Sequence, residues 1–378
     1  MGERINGAAP RVRLFWLDVA RTVAVISITT NHALNRTWNM DAGSVAELHS
    51  ISMASTLMKI FFSIFSHIGV PLFLMISGAL LLRRSYETRE QTKRFYRHNL
   101  LPLVITSEIW YFIMFWFVVY LKPGNTIWET GGMTGAVREL LRTMLFFNQT
   151  TLGSMWYIPM ILAVYTVIPL IATGLNRMED KRYLLIPYGI VLMHSMVIYN
   201  LNTFFKLAEI DYSLSLHLRS SNVFSMYMLY MLAGWFIGEG KLKRIPDWVV
   251  VTGSVTSFAS LCAYQLWAFS REYVYLVSYE SVGILVCAVF WFDLIRRKGT
   301  LLKPLEKPVT YLSRVSFAIY FVHIVIMEGM RWTMDLSMFS RSQKFLVLEL
   351  CSFVGSLVII WVLSRFRVCR KYLFMIKD

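Results

Sequence analysis

Arg21 and His32 stand eleven residues apart in the stretch DVARTVAVISITTNH (residues 18–32), which otherwise reads as a membrane-crossing helix. Eleven steps of 100° close about three turns, so both side chains project from one face, about 16 Å apart along the axis. Asp18 joins that face one turn below Arg21. Charged groups are costly in hydrocarbon, and those a span retains usually serve a purpose. An imidazole in an apolar bundle can take and return a proton, and a guanidinium at its mouth can hold an anion. The plainer reading is an Asp18–Arg21 salt bridge at the membrane edge and one hydrogen-bonded buried histidine.

A second set lies in YLSRVSFAIYFVH (residues 311–323), where Ser316, Tyr320 and His323 fall at i, i+4 and i+7, again one helix face. Counted from the cytoplasmic end, His323 reaches a depth slightly short of that of His32. The two histidines are therefore expected to meet in the middle or outer half of the bundle, unless His323 only packs on an aromatic ring. His67 and Glu108 both count to mid-membrane and are candidates to face the same cavity. The loop RRSYETREQTKRFYRHN (residues 83–99) is the densest basic segment. Its Arg83, Arg84, Arg94 and Arg97 suit bidentate phosphate binding, or else plain anchoring against anionic lipid. No paired metal-ligand spacing accompanies the four cysteines, so neither a metal centre nor a disulfide framework is expected.

The elements that must position these groups follow from composition. Of 378 residues 56% are hydrophobic and only 16% charged, too few charges for the surface of a soluble domain of this size. Ten apolar runs are long enough to cross about 30 Å of hydrocarbon. They cover 14–35, 57–82, 98–121, 155–174, 183–200, 223–239, 247–268, 274–295, 309–330 and 345–364. The expected fold is an all-α polytopic membrane bundle of about ten helices. With an inside start, 25 of the 38 Lys and Arg residues fall on the cytoplasmic side, 10 outside and 3 within spans. That bias follows the positive-inside rule, puts both chain ends in the cytoplasm and explains the net charge of +15 without nucleic acid. The first span lacks a small-residue cleavage site and is expected to be an uncleaved anchor. The external segment 122–154 contains AVRELLRTMLFF, whose spacing suggests an interfacial helix. VPLFLMISG (70–78) and the Gly234/Gly238 pair read as a kink and as close helix packing. No internal repeat is visible, and one membrane domain is expected over 1–378, with its core at about 13–364.

These pieces together resemble the bacterial acyltransferase-3 family of integral membrane acyltransferases. The carriers are Asp18 and Arg21 followed by His32, GVPLFLMISGALLL (69–82), KRFYRHNLLP (93–102), MWYIPMILAVYTVIPLI (155–171) and SRVSFAIYFVH (313–323), in that order. One departure is His67, where the family more often carries Arg. The resemblance is to the single-domain branch, and the soluble hydrolase-like domain that some members append is not expected. The resemblance implies transfer of an acyl group, usually acetyl from acetyl-CoA, to a hydroxyl of a surface glycan or lipid-linked sugar in the bacterial cytoplasmic membrane. Acyl-CoA would be a co-substrate, and no permanently bound cofactor is implied.

Under that resemblance Arg94 and Arg97, with Arg21 just inside, are expected to hold the CoA phosphates. The thioester arm would run up the face from Arg21 toward His32. His32 would act as general base on the sugar hydroxyl or as a transient acyl carrier, with Asp18 and Arg21 organising the donor side. Ser316, Tyr320, His323 and Trp156 would orient the acceptor or steady the oxyanion. The competing class is a secondary transporter or glycan exporter, whose midplane His and Glu residues would relay protons. It has no need to bind acyl-CoA, and the missing repeat symmetry counts against it.

Overall fold

The computed structural model describes residues 13–41, 43–148, 153–214, 226–273 and 277–376. Parts of three expected elements lie outside these residues: the basic N-terminal piece and the first few residues of the runs 223–239 and 274–295. Among the described residues the secondary structure is helical throughout, with no strand. The apolar helices of the bundle are α1 (Phe15–Asn35), α3 (Met53–Ser66) with α4 (Gly69–Leu81), α6 (Leu101–Leu121), α8 (Tyr157–Arg177), α11 (Met226–Gly238), α12 (Asp247–Ser270), α13 (Val282–Lys298), α14 (Glu306–Thr333) and α15 (Arg341–Leu363). The remaining helices are α2 (Gly43–Leu48), α5 (Arg89–Phe95), α7 (Ile127–Met144), α9 (Leu185–Leu192) and α10 (Ile198–Leu207).

Seven stretches among the described residues are long and apolar enough to cross a membrane: Met53–Leu81, Arg89–Leu121, Gly153–Arg177, Lys181–Leu207, Asp247–Ser270, Val282–Thr333 and Arg341–Leu363. The protein is thus an all-helical, multi-pass membrane protein. The tally differs from ten because Val282–Thr333 counts α13 and α14 as one stretch of 52 residues, α11 is only 13 residues long, and α1 is not among the seven. α13 also starts at Val282, well inside the expected run 274–295, after the polar turn Ser278–Ser281.

Why α1 is a helix is itself informative. VAVISITT is rich in β-branched residues that favour strands in water. In an apolar bundle each backbone group needs a partner from its own segment, and a helix supplies it. α1 sits at the centre, packed on α3, α4, α13, α14 and α15, and most of its residues are buried.

The second span is broken at His67–Ile68, because Pro71 has no N–H to donate to the carbonyl of His67. α1 repairs the break: Ser27 Oγ lies 2.8 Å from Phe65 O and 3.0 Å from Ser66 O. α4 and α11 approach most closely through glycine. A Cβ on Gly78 would lie 1.9 Å from the carbonyl oxygen of Met231, and one on Gly234 would lie 2.1 Å from that of Met75. Lipid offers no hydrophobic drive for association, so small residues that let backbones touch decide this pair. α7 bends at Gly132, whose φ of 54° favours glycine. It buries Ala136 and Leu140 against Phe115 and Val119 of α6.

Candidate active site

α1 and α14 are joined at three levels. Nearest one end, Ser313 Oγ donates to Asp18 Oδ1 at 2.6 Å. Deeper in, His32 Nδ1 meets His323 Nε2 at 2.7 Å. One turn beyond, Arg36 Nε donates to Glu328 Oε1 at 2.7 Å. The sequence face carrying Asp18, Arg21 and His32 is therefore apposed to the face carrying Ser316, Tyr320 and His323, and the two histidines do meet.

Their proton arrangement follows from their partners. His323 Nδ1 is 2.6 Å from the carbonyl of Ile319. A carbonyl only accepts, so Nδ1 carries the hydrogen, and in the neutral ring Nε2 is then the acceptor. His32 Nδ1–H must donate to it, which leaves His32 Nε2 with a lone pair and no proton. The rings lie within 5° of coplanarity with centroids 5.0 Å apart, so the N–H···N contact runs along the ring plane, where the lone pair lies. His32 is 7% exposed and His323 fully buried. An imidazole so held can accept a proton at a defined atom, and the resulting charge is shared with a neighbour that is already oriented.

Below the pair a cavity of about 770 Å³ opens between α1, α4, α8 and α14. Its inner end is lined by Ile28, one turn before His32 in α1, and by Tyr320, whose ring is 6.4 Å from that of His323 and 5.9 Å from that of Tyr157, another lining residue. Its outer end carries Arg13, Arg21, Arg84 and Arg314, with Asp18 the carboxylate among the lining side chains. Asp18 is 2% exposed and takes Arg13 Nε at 2.6 Å, Arg13 Nη2 at 3.0 Å and Arg21 Nη1 at 3.5 Å. One carboxylate thus aims two guanidiniums, and the excess of cations leaves the mouth suited to an anion.

Other expected residues fall less simply. Ser316 and Tyr320 line the cavity; Ser316 Oγ donates to Ser313 O, and Tyr320 Oη to Ser154 O at 2.9 Å. Arg94 lies with Arg84, Gln91, His98 and Asn99 in a second pocket, which shares Arg84, His98 and Asn99 with the large cavity. Arg97 does not join it. It lines a separate groove with Glu87, Lys93 and Tyr96, so Arg94 and Arg97 do not form one clamp. The reason is local: Tyr96–Leu100 is a π-helical turn. Its wider i→i+5 winding stops a three-residue spacing from returning near the same face. Trp156 lies outside the cavity lining and packs on Tyr279 (5.5 Å) and Tyr227 (6.0 Å); its neighbour Tyr157 takes the lining position.

His67 and Glu108 do not face the cavity together. His67 Nδ1–H reaches Ser63 O at 2.8 Å and its ring meets Tyr279 at 5.1 Å, closing the helix break. Glu108 is on α6, away from both His67 and the lining. Sequence reading passed over Arg13, Ser313, Arg36 and Glu328. Only Arg13 had a local signal, five residues before Asp18; the others gain their meaning from α1–α14 pairing. Arg36 also donates to Ser154 Oγ at 2.8 Å and to His32 O at 3.2 Å, tying the loop before α8 to the histidine level.

A family model described as an acyltransferase domain matches residues 14–365. No curated protein and no solved structure gives a significant match to the chain. That match spans every helix of the cavity and both histidines, and the chain belongs to the acyltransferase-3 family of membrane acyltransferases.

Proposed function

We propose that the protein moves an acetyl group from acetyl-CoA, held in the cavity with its thioester toward His32, to a hydroxyl of a surface glycan or lipid-linked sugar. The observation that carries this reading is the run of one cavity from a four-arginine mouth to within a turn of a tautomer-fixed histidine pair. CoA has the matching shape: a polyanionic head and a slender arm ending in a thioester. Arg13, Arg21, Arg84 and Arg314, with Arg94 beside them, would take the phosphates by charge-assisted hydrogen bonds. The basic excess of the inward loops argues for a bacterial cytoplasmic membrane with this mouth, and both chain ends, facing the cytoplasm.

In the transfer, His32 Nε2 removes the proton of the acceptor hydroxyl as its oxygen attacks the thioester carbon. His323 Nε2 accepts from His32 Nδ1–H throughout, steadying the imidazolium. Collapse of the tetrahedral intermediate breaks the C–S bond. The thiolate takes the proton from His32, so the products are the O-acyl sugar and CoA thiol. Tyr320 and Ser316 line the cavity, and either would meet the oxyanion only by turning its hydroxyl away from the carbonyl it now bonds, Ser154 O or Ser313 O. Glycan stacking on the Trp156, Tyr227 and Tyr279 rings would suit the acceptor side.

Acetyl-CoA binding and turnover by the purified protein test this. Wild type is expected to do both. Removing Arg84 of the cavity mouth together with Arg94 of the adjoining pocket (Arg84→Ala with Arg94→Ala) should weaken binding at least tenfold, since a hydrogen bond to a charged group contributes about 1.5–3 kcal/mol. His32→Ala should keep binding and lose about 10²-fold or more in turnover. Failure of wild type to bind any short acyl-CoA would reject the reading.

A further inference from the structure

The chain after α15 turns back into the bundle. A π-helical turn, Cys369–Leu373, brings it alongside α6, where Thr106 Oγ1 donates to Tyr372 O at 2.8 Å and Trp110 Nε1 to Leu373 O at 2.9 Å. Trp110 in turn lies flat against Phe321 of α14, with centroids 5.2 Å apart and planes within 2°. Phe374 is 1% exposed. The next residue, Met375, has a φ of 50°, a left-handed value that a side-chain-bearing residue keeps only where packing holds it. Met375 lines the large cavity with Leu103 of α6 and Phe317 of α14. Among the described lining residues, it alone comes from beyond α15. Charge would keep such a segment at the surface, since it carries Arg365, Arg367, Arg370 and Lys371; the apolar run YLFMI (372–376) is what carries it inward.

We propose that this segment is a wall of the donor cavity and that Met375 is in contact with the arm of the acyl-CoA, between the arginine mouth and the histidine pair. The inference rests on the acyl-CoA reading above. A thioether on three rotatable bonds suits contact with a slender arm that must slide in and out. Two backbone carbonyls pinned to α6, with the Trp110 ring wedged against α14, keep the wall in place between visits.

The test is a cysteine at the wall. Met375→Cys, made in a Cys369→Ser background, is treated with a small water-soluble thiol reagent, and acetyl-CoA binding is measured on the same preparation. Acetyl-CoA at ten times its Kd should slow modification about tenfold relative to ligand-free protein, because the site is then free about a tenth of the time. Met375→Trp, which fills the same space, should raise the Kd for acetyl-CoA about tenfold. Modification unaffected by bound acetyl-CoA, or an unchanged Kd in Met375→Trp, would overturn the wall and leave the donor reading standing. Absence of acetyl-CoA binding to the parent protein would remove the donor reading, and this inference with it.

Discussion

At the residue scale, proton positions in the site descend from one carbonyl. Ile319 O can only accept, so His323 presents its lone pair to His32, and His32 presents its own at Nε2. Removing His323 leaves a buried N–H without a partner, which costs about 1–3 kcal/mol, and frees His32 to take the wrong tautomer. His323→Ala is therefore expected to lower turnover by about 10²-fold while acetyl-CoA binding persists. His323→Gln, whose amide oxygen can accept from His32 Nδ1–H, should recover a measurable part of that loss. A single-turnover assay on both variants decides it. Equal losses in the two would mean that His323 does more than orient. Asp18 works by the same logic at the mouth: burial makes it costly, and Arg13, Arg21 and Ser313 together compensate.

At the scale of helices, two interruptions and one contact shape the site. The Pro71 break gives α1 the carbonyls that Ser27 bonds, and the π turn at Tyr96–Leu100 sends Arg94 and Arg97 to different grooves. The α4–α11 contact carries a wall of the cavity, since Ile76, Ser77 and Leu80 of α4 line it beside Gly78. Gly234→Ala puts a methyl where Met75 backbone already stands, 2.1 Å from its carbonyl oxygen. Overpacking of that kind costs about 1–3 kcal/mol, so the thermal midpoint in detergent should fall. Gly174→Ala is the control: nothing lies within 4 Å of a Cβ there. It should leave the midpoint unchanged or raise it slightly, since glycine in a helix interior costs about 0.5–1 kcal/mol relative to alanine. Equal midpoints for the two variants would mean that the α4–α11 contact yields freely.

For the whole molecule, the proposed transfer from a cytoplasmic donor to an external acceptor depends on orientation. If the basic loops face inward, as the positive-inside rule expects, a cysteine at the exposed Ser337, between α14 and α15, should react with an impermeant thiol reagent in intact cells. A cysteine at the exposed Leu301, between α13 and α14, should react only after the cells are opened. The reverse pattern would turn the arginine mouth outward and leave acetyl-CoA on the wrong side.

The class of the fold and half of the site were legible in the chain itself, because both depend on local regularities. Apolar runs force helices in lipid, and a helix of known pitch places Arg21 under His32 and Ser316 under Tyr320 and His323 whatever surrounds it. Asp18 beside Arg21 was legible for the same reason. What those faces meet is a different matter. His32 and His323 are separated by 291 positions, and Arg36 and Glu328 by 292. Their pairing depends on helix packing set by glycine contacts and buried polar bonds, which leave no period in the sequence. The basic loop illustrates the limit from the other side: charge and family resemblance grouped Arg94 and Arg97 on the CoA phosphates, and a single wider turn sends them to different grooves. The segment after α15 is the clearest case. Its arginines and lysine mark it as a surface tail, whereas two hydrogen bonds to α6 and the burial of Phe374 make it part of the cavity.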